Sequence, residues 1–147
     1  MNTSNHLLVG TGIAIAVNQP LLALPLAFGS HFVLDALPHY GYGRKGYGEL
    51  FKHKLFYFSL LLDLIGVVLL LTNFNYSELI LVACAILALS PDFEWPYHYY
   101  WFERKGLKPP ATRLSKFHNY VQWCEKPWGI VVEVVFFVVL YMLITSV

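Results

Sequence analysis

The sequence predicts an all-α, polytopic membrane helical bundle, with about five transmembrane helices and one amphipathic interfacial helix in a single domain over residues 1–147. Three observations predict it. The composition is 57% hydrophobic and only 13% charged, where an average soluble domain has roughly 25% charged residues. A soluble chain of this size could not hide so much apolar surface, so lipid must be part of its solvent. Long apolar runs recur along the chain at the length of about 20 residues that a spanning helix needs. All 10 Lys and Arg residues fall in two connecting segments.

The first run covers about 5–18. Asn18-Gln19-Pro20 interrupts it, and a second run follows over about 20–37. Proline is favoured in the first turn of a helix, so the interruption reads as a tight turn between two shortish helices. The alternative is one long kinked helix, which would carry His6 to the opposite membrane face. The third, fourth and fifth runs cover about 54–73, 77–96 and 127–147. Between the fourth and fifth lies a long connection with structure of its own. Pro109-Pro110 can open a helix, Thr112 is suited to cap it, and Leu114, Phe117, His118 and Val121 recur at helical spacing. This predicts an interfacial helix over about 111–124, its apolar stripe on lipid or on the bundle. The stretch from Gly41 to Gly48 alternates glycines with aromatic and basic residues and reads as a flexible, lid-like loop. It is no phosphate-binding GxGxxG, because no strand precedes it and no helix opens directly from it.

Lys and Arg concentrate in cytoplasmic loops. Arg44, Lys45, Lys52 and Lys54 lie between the second and third runs. Arg104, Lys105, Lys108, Arg113, Lys116 and Lys126 lie between the fourth and fifth. The other loops carry none. Five spans in a bacterial-type inner (plasma) membrane, N-terminus cytoplasmic and C-terminus outside, satisfy this pattern. Trp95, Trp101, Trp123 and Trp128 fall near the same cytoplasmic face, at headgroup level. The first residues hold no Lys or Arg and no cleavage site follows, so no cleaved signal peptide is expected. Cys84 sits in an apolar run and Cys124 in a polar segment, and neither forms a CxxC pair, so neither a disulfide between them nor a thiolate zinc site is expected. The net charge of +1 says little about partners, and no nucleic-acid partner is expected. The partner expected is membrane lipid.

Ionisable groups inside apolar helices are costly and are usually functional. His6 begins the first helix. His31 and Asp35 lie at i and i+4 near the end of the second, on one face. Asp92 follows Ser90-Pro91 near the inner end of the fourth, and His118 lies on the interfacial helix. In the proposed topology all five fall at the cytoplasmic end. Imidazole nitrogen and carboxylate oxygen are ligands for zinc and also for manganese or iron. A site of such groups with an open position lowers the pKa of a bound water to about 7. His6, His31, Asp35, Asp92 and His118 suffice for one metal with a supporting partner, or for two metals sharing a carboxylate. Each has a plainer reading: a hydrogen bond along the helix for His31 and Asp35, a cap for His6 or Asp92, a solvated surface histidine for His118. His39, beyond Pro38, reads as an interface histidine or a site residue, and His53 and His98 as structural. Asp63 and Glu133 also lie within apolar runs. Either is a catalytic acid/base candidate, a partner that orients a ligand histidine, or a structural hydrogen-bond acceptor.

The stretch His6-Leu-Leu-Val-Gly10, the Ser-His-Phe-Val-Leu-Asp-Ala-Leu-Pro-His segment at 30–39 and Ser90-Pro91-Asp92 together resemble the bacterial inner-membrane YdjM-like family, described as membrane-bound metal-dependent hydrolases. That family shows an early His, a helical HxxxD and a later PD. The resemblance covers most of the chain. It is more loosely similar to zinc-dependent phospholipase C, whose metals are held by His and Asp on helices. The resemblance implies a divalent metal, zinc first, and hydrolysis of a lipid or lipid-like (phospho)ester at the cytoplasmic face. Two rival expectations stand beside it. One is a metal-ion or proton transporter, disfavoured by the few polar groups in the outer half. The other is a non-enzymatic membrane protein with a structural metal site, which a closed four-ligand site would favour.

Overall fold

In the computed structural model, which describes residues 1–17, 19–42 and 47–146, the first helix stands at the centre. Helix α1 (Thr3–Ala16) packs against α2 (Pro20–Asp35), α4 (Lys54–Asn73), α5 (Leu79–Leu89) and α8 (Gly129–Thr145). Its Ser4, Asn5, His6 and Thr11 are all buried. Small residues make this approach possible. A Cβ on Gly10 would lie 2.6 Å from the Cys84 carbonyl oxygen, and one on Gly66 would lie 2.7 Å from Ser4 Cβ.

The chain ends α1 at Ala16 and starts α2 at Pro20, where proline needs no N–H partner. The two helices pack on each other, so they form a hairpin rather than one kinked rod. Asn18 of the expected turn lies outside the described residues, as do Gly43 to Gly46 of the expected lid-like loop. A short helix α3 (Tyr47–Leu50) precedes α4. After α5 the chain tightens into a 3₁₀ turn (Ser90–Phe93), continues as α6 (Glu94–Trp101) and closes with a second 3₁₀ turn (Glu103–Lys105). Helix α7 (Arg113–Val121) is capped by Thr112, whose side-chain oxygen accepts from the Ser115 N–H at 3.0 Å. Among the described residues there is no strand, only one isolated bridge between His39 and Glu125.

The fold is therefore all-α. Lys54–Asn73 and the helical stretch Leu79–Lys105 are long and apolar enough to cross a membrane, while Pro20–Asp35 and Gly129–Thr145 are apolar but shorter. Pro38, just past α2, keeps that helix from continuing, because the residue before proline is driven out of the helical region. The outer faces stay apolar: Leu64, Ile65 and Leu71 of α4 and Val131, Val135 and Met142 of α8 are exposed.

Candidate metal centre

His6, His31, Asp35, Asp92 and His118 come together at one end of the bundle. Each arrives by a local device. His31 and Asp35 share a face of α2 across one helical turn, with His31 Nε2 3.2 Å from Asp35 Oδ2. Asp92 is delivered by the break after α5. Pro91 has no N–H to give the Leu87 carbonyl, and Ser90 takes that carbonyl with its own N–H and with Oγ at 2.9 Å. The chain then turns as 3₁₀ and brings Asp92 to the cluster. His118 arrives on α7, which lies against α2. The buried side chains of α7 are Ser115 and His118, while Leu114 and Phe117 face outward. Of the two placements open to the apolar stripe, the bundle is thus taken by the polar face.

The distances are those of a ligand set. His31 Nε2 is 3.0 Å from His118 Nε2, and His118 Nε2 is 2.7 Å from Asp35 Oδ2. Asp92 Oδ1 is 3.8 Å from each of the two imidazole nitrogens. Donors about 2.1 Å from one tetrahedral ion sit about 3.4 Å from each other, the middle of this range. His31, Asp35, Asp92 and His118 form a group that could hold a metal ion, their ligand atoms all within 4.8 Å of one another. The proton bookkeeping agrees. His31 Nδ1 is 2.8 Å from the Ala88 carbonyl, which can only accept, so this nitrogen carries the proton and a neutral ring leaves Nε2 a bare lone pair. A backbone carbonyl on the far nitrogen is the usual way a ligand histidine is oriented. Two carboxylates and a bare imidazole nitrogen then converge here, with the Met1 ammonium paired to Asp35 Oδ1 at the edge of the group.

His6 stands at the same place, fully buried, with its ring stacked on His31 at 4.2 Å. Neither of its nitrogens has a hydrogen-bond partner. Asp35 Oδ1 also meets the Met1 amine.

Asp63 and Glu133 lie against the N-terminus of α1. Asp63 Oδ1 accepts from the Ser4 N–H at 2.7 Å, and Glu133 Oε1 accepts from the Asn2 N–H at 2.8 Å. The first N–H groups of a helix have no partner of their own, and a carboxylate there also suits the helix dipole. These two acids, from α4 and α8, supply the N-terminal cap that α1 lacks in its own sequence, since Asn2 makes no side-chain cap bond. His39 joins the segment before α8, with the Lys126 N–H donating to its carbonyl at 2.9 Å and Nε2 3.8 Å from Glu125. His98 is buried beside Glu94, one turn away, and His53 stacks on Tyr42.

Gln122 is a site residue that the composition of the apolar runs did not mark. Its amide donates to Asp35 Oδ2 at 3.1 Å and lies 3.1 Å from His118 Nε2. Its i+4 spacing from His118 was the available signal. Gln122 also lines a cavity of about 650 Å³, together with Tyr40, Tyr42, His98, Lys116 and Asn119. The Tyr40 hydroxyl is buried without a partner, and burial holds the phenol above the ordinary tyrosine range, the contact with Tyr42 adding to this.

The fold and the site define a class: an all-α protein with a buried His/Asp cluster able to hold a metal. Comparisons with protein-family models, with curated proteins and with solved structures find no match.

Proposed function

We propose that this chain is a polytopic membrane protein of five spans whose cytoplasmic end holds a divalent metal, zinc or else manganese or iron, for hydrolysis of a lipid or lipid-like (phospho)ester. The observation that carries the metal reading is the convergence of His31 Nε2, His118 Nε2, Asp35 and Asp92 into one buried group. The donor set fits a borderline-hard ion of the zinc or manganese kind. When bound, such an ion lowers the pKa of a water and polarises an ester oxygen.

The chain's own residues do the rest. Ala88 holds the His31 tautomer, and Gln122 holds Asp35 against His118. The cavity beyond Gln122 has room for a headgroup, with Lys116 and the tyrosines in its wall. The apolar outer faces of α4 and α8 support lipid as the surrounding solvent. In this membrane frame all Lys and Arg side chains flank the site end, as the charge rule for cytoplasmic loops requires. The sequence resemblance to YdjM-like hydrolases points the same way.

One observation favours a second reading. Four protein ligands fill a tetrahedral ion, and a filled site is the mark of a structural metal. The two readings part on activity. Purified protein is expected to carry stoichiometric metal by elemental analysis, to lose it in His31→Ala and Asp35→Ala, and to release product from a panel of phospholipids and lipid phosphoesters only when metal-loaded. Metal-free protein as purified, or unchanged content in both variants, would falsify the metal reading. Bound metal with no turnover across the panel leaves the structural staple.

A further inference from the structure

Asp35 and Asp92 each present a second oxygen away from the group already described. Asp35 Oδ2 and Asp92 Oδ1 face His31 and His118, whereas Asp35 Oδ1 lies 3.3 Å and Asp92 Oδ2 3.7 Å from His6 Nε2. His6 is the least satisfied polar side chain here: it is fully buried, and both ring nitrogens lack a hydrogen-bond partner despite the carboxylates alongside. A buried imidazole with neither nitrogen satisfied forfeits the hydration of both without compensation. A histidine aimed between two carboxylate oxygens has the same geometry as a histidine ligand.

His6 and His31 are stacked with centroids 4.2 Å apart and planes within 17°. Both Nε2 atoms face the same two carboxylates, His6 at Asp35 Oδ1 and Asp92 Oδ2 and His31 at Asp35 Oδ2 and Asp92 Oδ1. Two ions that share bridging carboxylates stand about 3.5–4 Å apart in two-metal sites.

We propose that the cluster is a dinuclear centre. One divalent ion is bound by His31, His118, Asp35 and Asp92, and a second is bound by His6, with both carboxylates bridging. This rests on the metal reading above and deepens it. The first position is filled by protein ligands. The second has His6 Nε2, Asp35 Oδ1 and Asp92 Oδ2, the ion replacing the Met1 amine that pairs with Asp35 Oδ1 in its absence, so it keeps a coordination position open to water or substrate. The open site that hydrolysis requires is therefore the His6 position, and the four-ligand position is its fixed neighbour.

The test uses the full chain purified in detergent, stripped with chelator and titrated with Mn²⁺. Two equivalents are expected in the wild type, with an electron paramagnetic resonance spectrum showing exchange coupling between the ions. His6→Ala is expected to bind one equivalent and to show an uncoupled spectrum, while His31→Ala loses the tighter equivalent. A wild type that binds one equivalent, or two without exchange coupling, overturns the dinuclear centre, whether or not His6→Ala weakens binding. In the one-equivalent case the Met1 amine is the partner of Asp35 Oδ1. A wild type that binds none overturns the metal reading itself, so the two failures are distinguishable. The wild-type spectrum decides the matter even if His6→Ala does not fold.

Discussion

At the scale of the residue, two groups outside the cluster hold its side chains in place. His31 gives its Nδ1 proton to Ala88, and Asp35 Oδ2 accepts from Gln122. Removing such a supporting partner typically weakens metal affinity by about 10–100-fold without abolishing it. Gln122→Ala is therefore expected to retain metal after purification but to surrender it to a chelator at about 10–100-fold lower concentration. Competition titration measures this, and an unchanged midpoint would show that Gln122 does not orient the ligands. Asp63→Asn has a different expected outcome. The amide oxygen still accepts from the Ser4 N–H, so metal content should hold, with a loss of stability of about 1 kcal/mol from the weaker, uncharged bond. Loss of metal in Asp63→Asn would place that acid in the site after all.

At the scale of the element, α1 and α7 carry the geometry. Helix α1 is threaded among four others, and at Gly10 it touches the backbone of α5, which cannot move aside as a side chain can. Gly10→Ala is expected to destabilise the protein by about 1–3 kcal/mol, read as a lower midpoint of thermal unfolding in detergent. An unchanged midpoint would mean that the α1–α5 contact is looser than the 2.6 Å approach implies. Helix α7 has nine residues and delivers His118, so its cap matters more than usual. Replacing the cap in Thr112→Ala costs about 1 kcal/mol of helix stability. That loss should appear as weaker metal binding, because an α7 that frays releases a ligand. Equal metal affinity in Thr112→Ala and wild type would show that α7 is held by its contacts with α2 rather than by its cap.

At the scale of the whole molecule, an ion bound at the proposed centre would couple the helices. His6 comes from α1, His31 and Asp35 from α2, Asp92 from the turn after α5 and His118 from α7. An ion that binds only the folded arrangement stabilises it by about 2.7 kcal/mol at a free concentration of 100 times its Kd. Chelation should lower the unfolding midpoint of the wild type and leave His31→Ala unaffected. A midpoint insensitive to chelator would count against the centre as a fold-linking device. The five-span topology has its own test. Alkaline phosphatase fused after residue 75 or after residue 147 should be active, and fused after residue 106 inactive. Activity at 106 would reverse the orientation read from the basic loops.

The sequence by itself determined the helical class, the Thr112 cap and the identity of the clustered His and Asp residues. These were legible because their physics is one-dimensional. Apolar runs and turn residues are written in order, and an ionisable residue inside such a run stands out by the cost of burying it. Only the tertiary structure decided that α1, which reads as one more apolar run, is the central helix and draws its N-terminal cap from Asp63 and Glu133. Those acids stood out for the same cost, but their role depends on what crosses them in space. The tertiary structure also decided which oxygen of Asp35 and Asp92 faces which histidine, and that Gln122 closes the cluster. A carboxylate has two acceptor atoms and an amide two ends, and their use is set by the directions in which neighbouring helices present their partners.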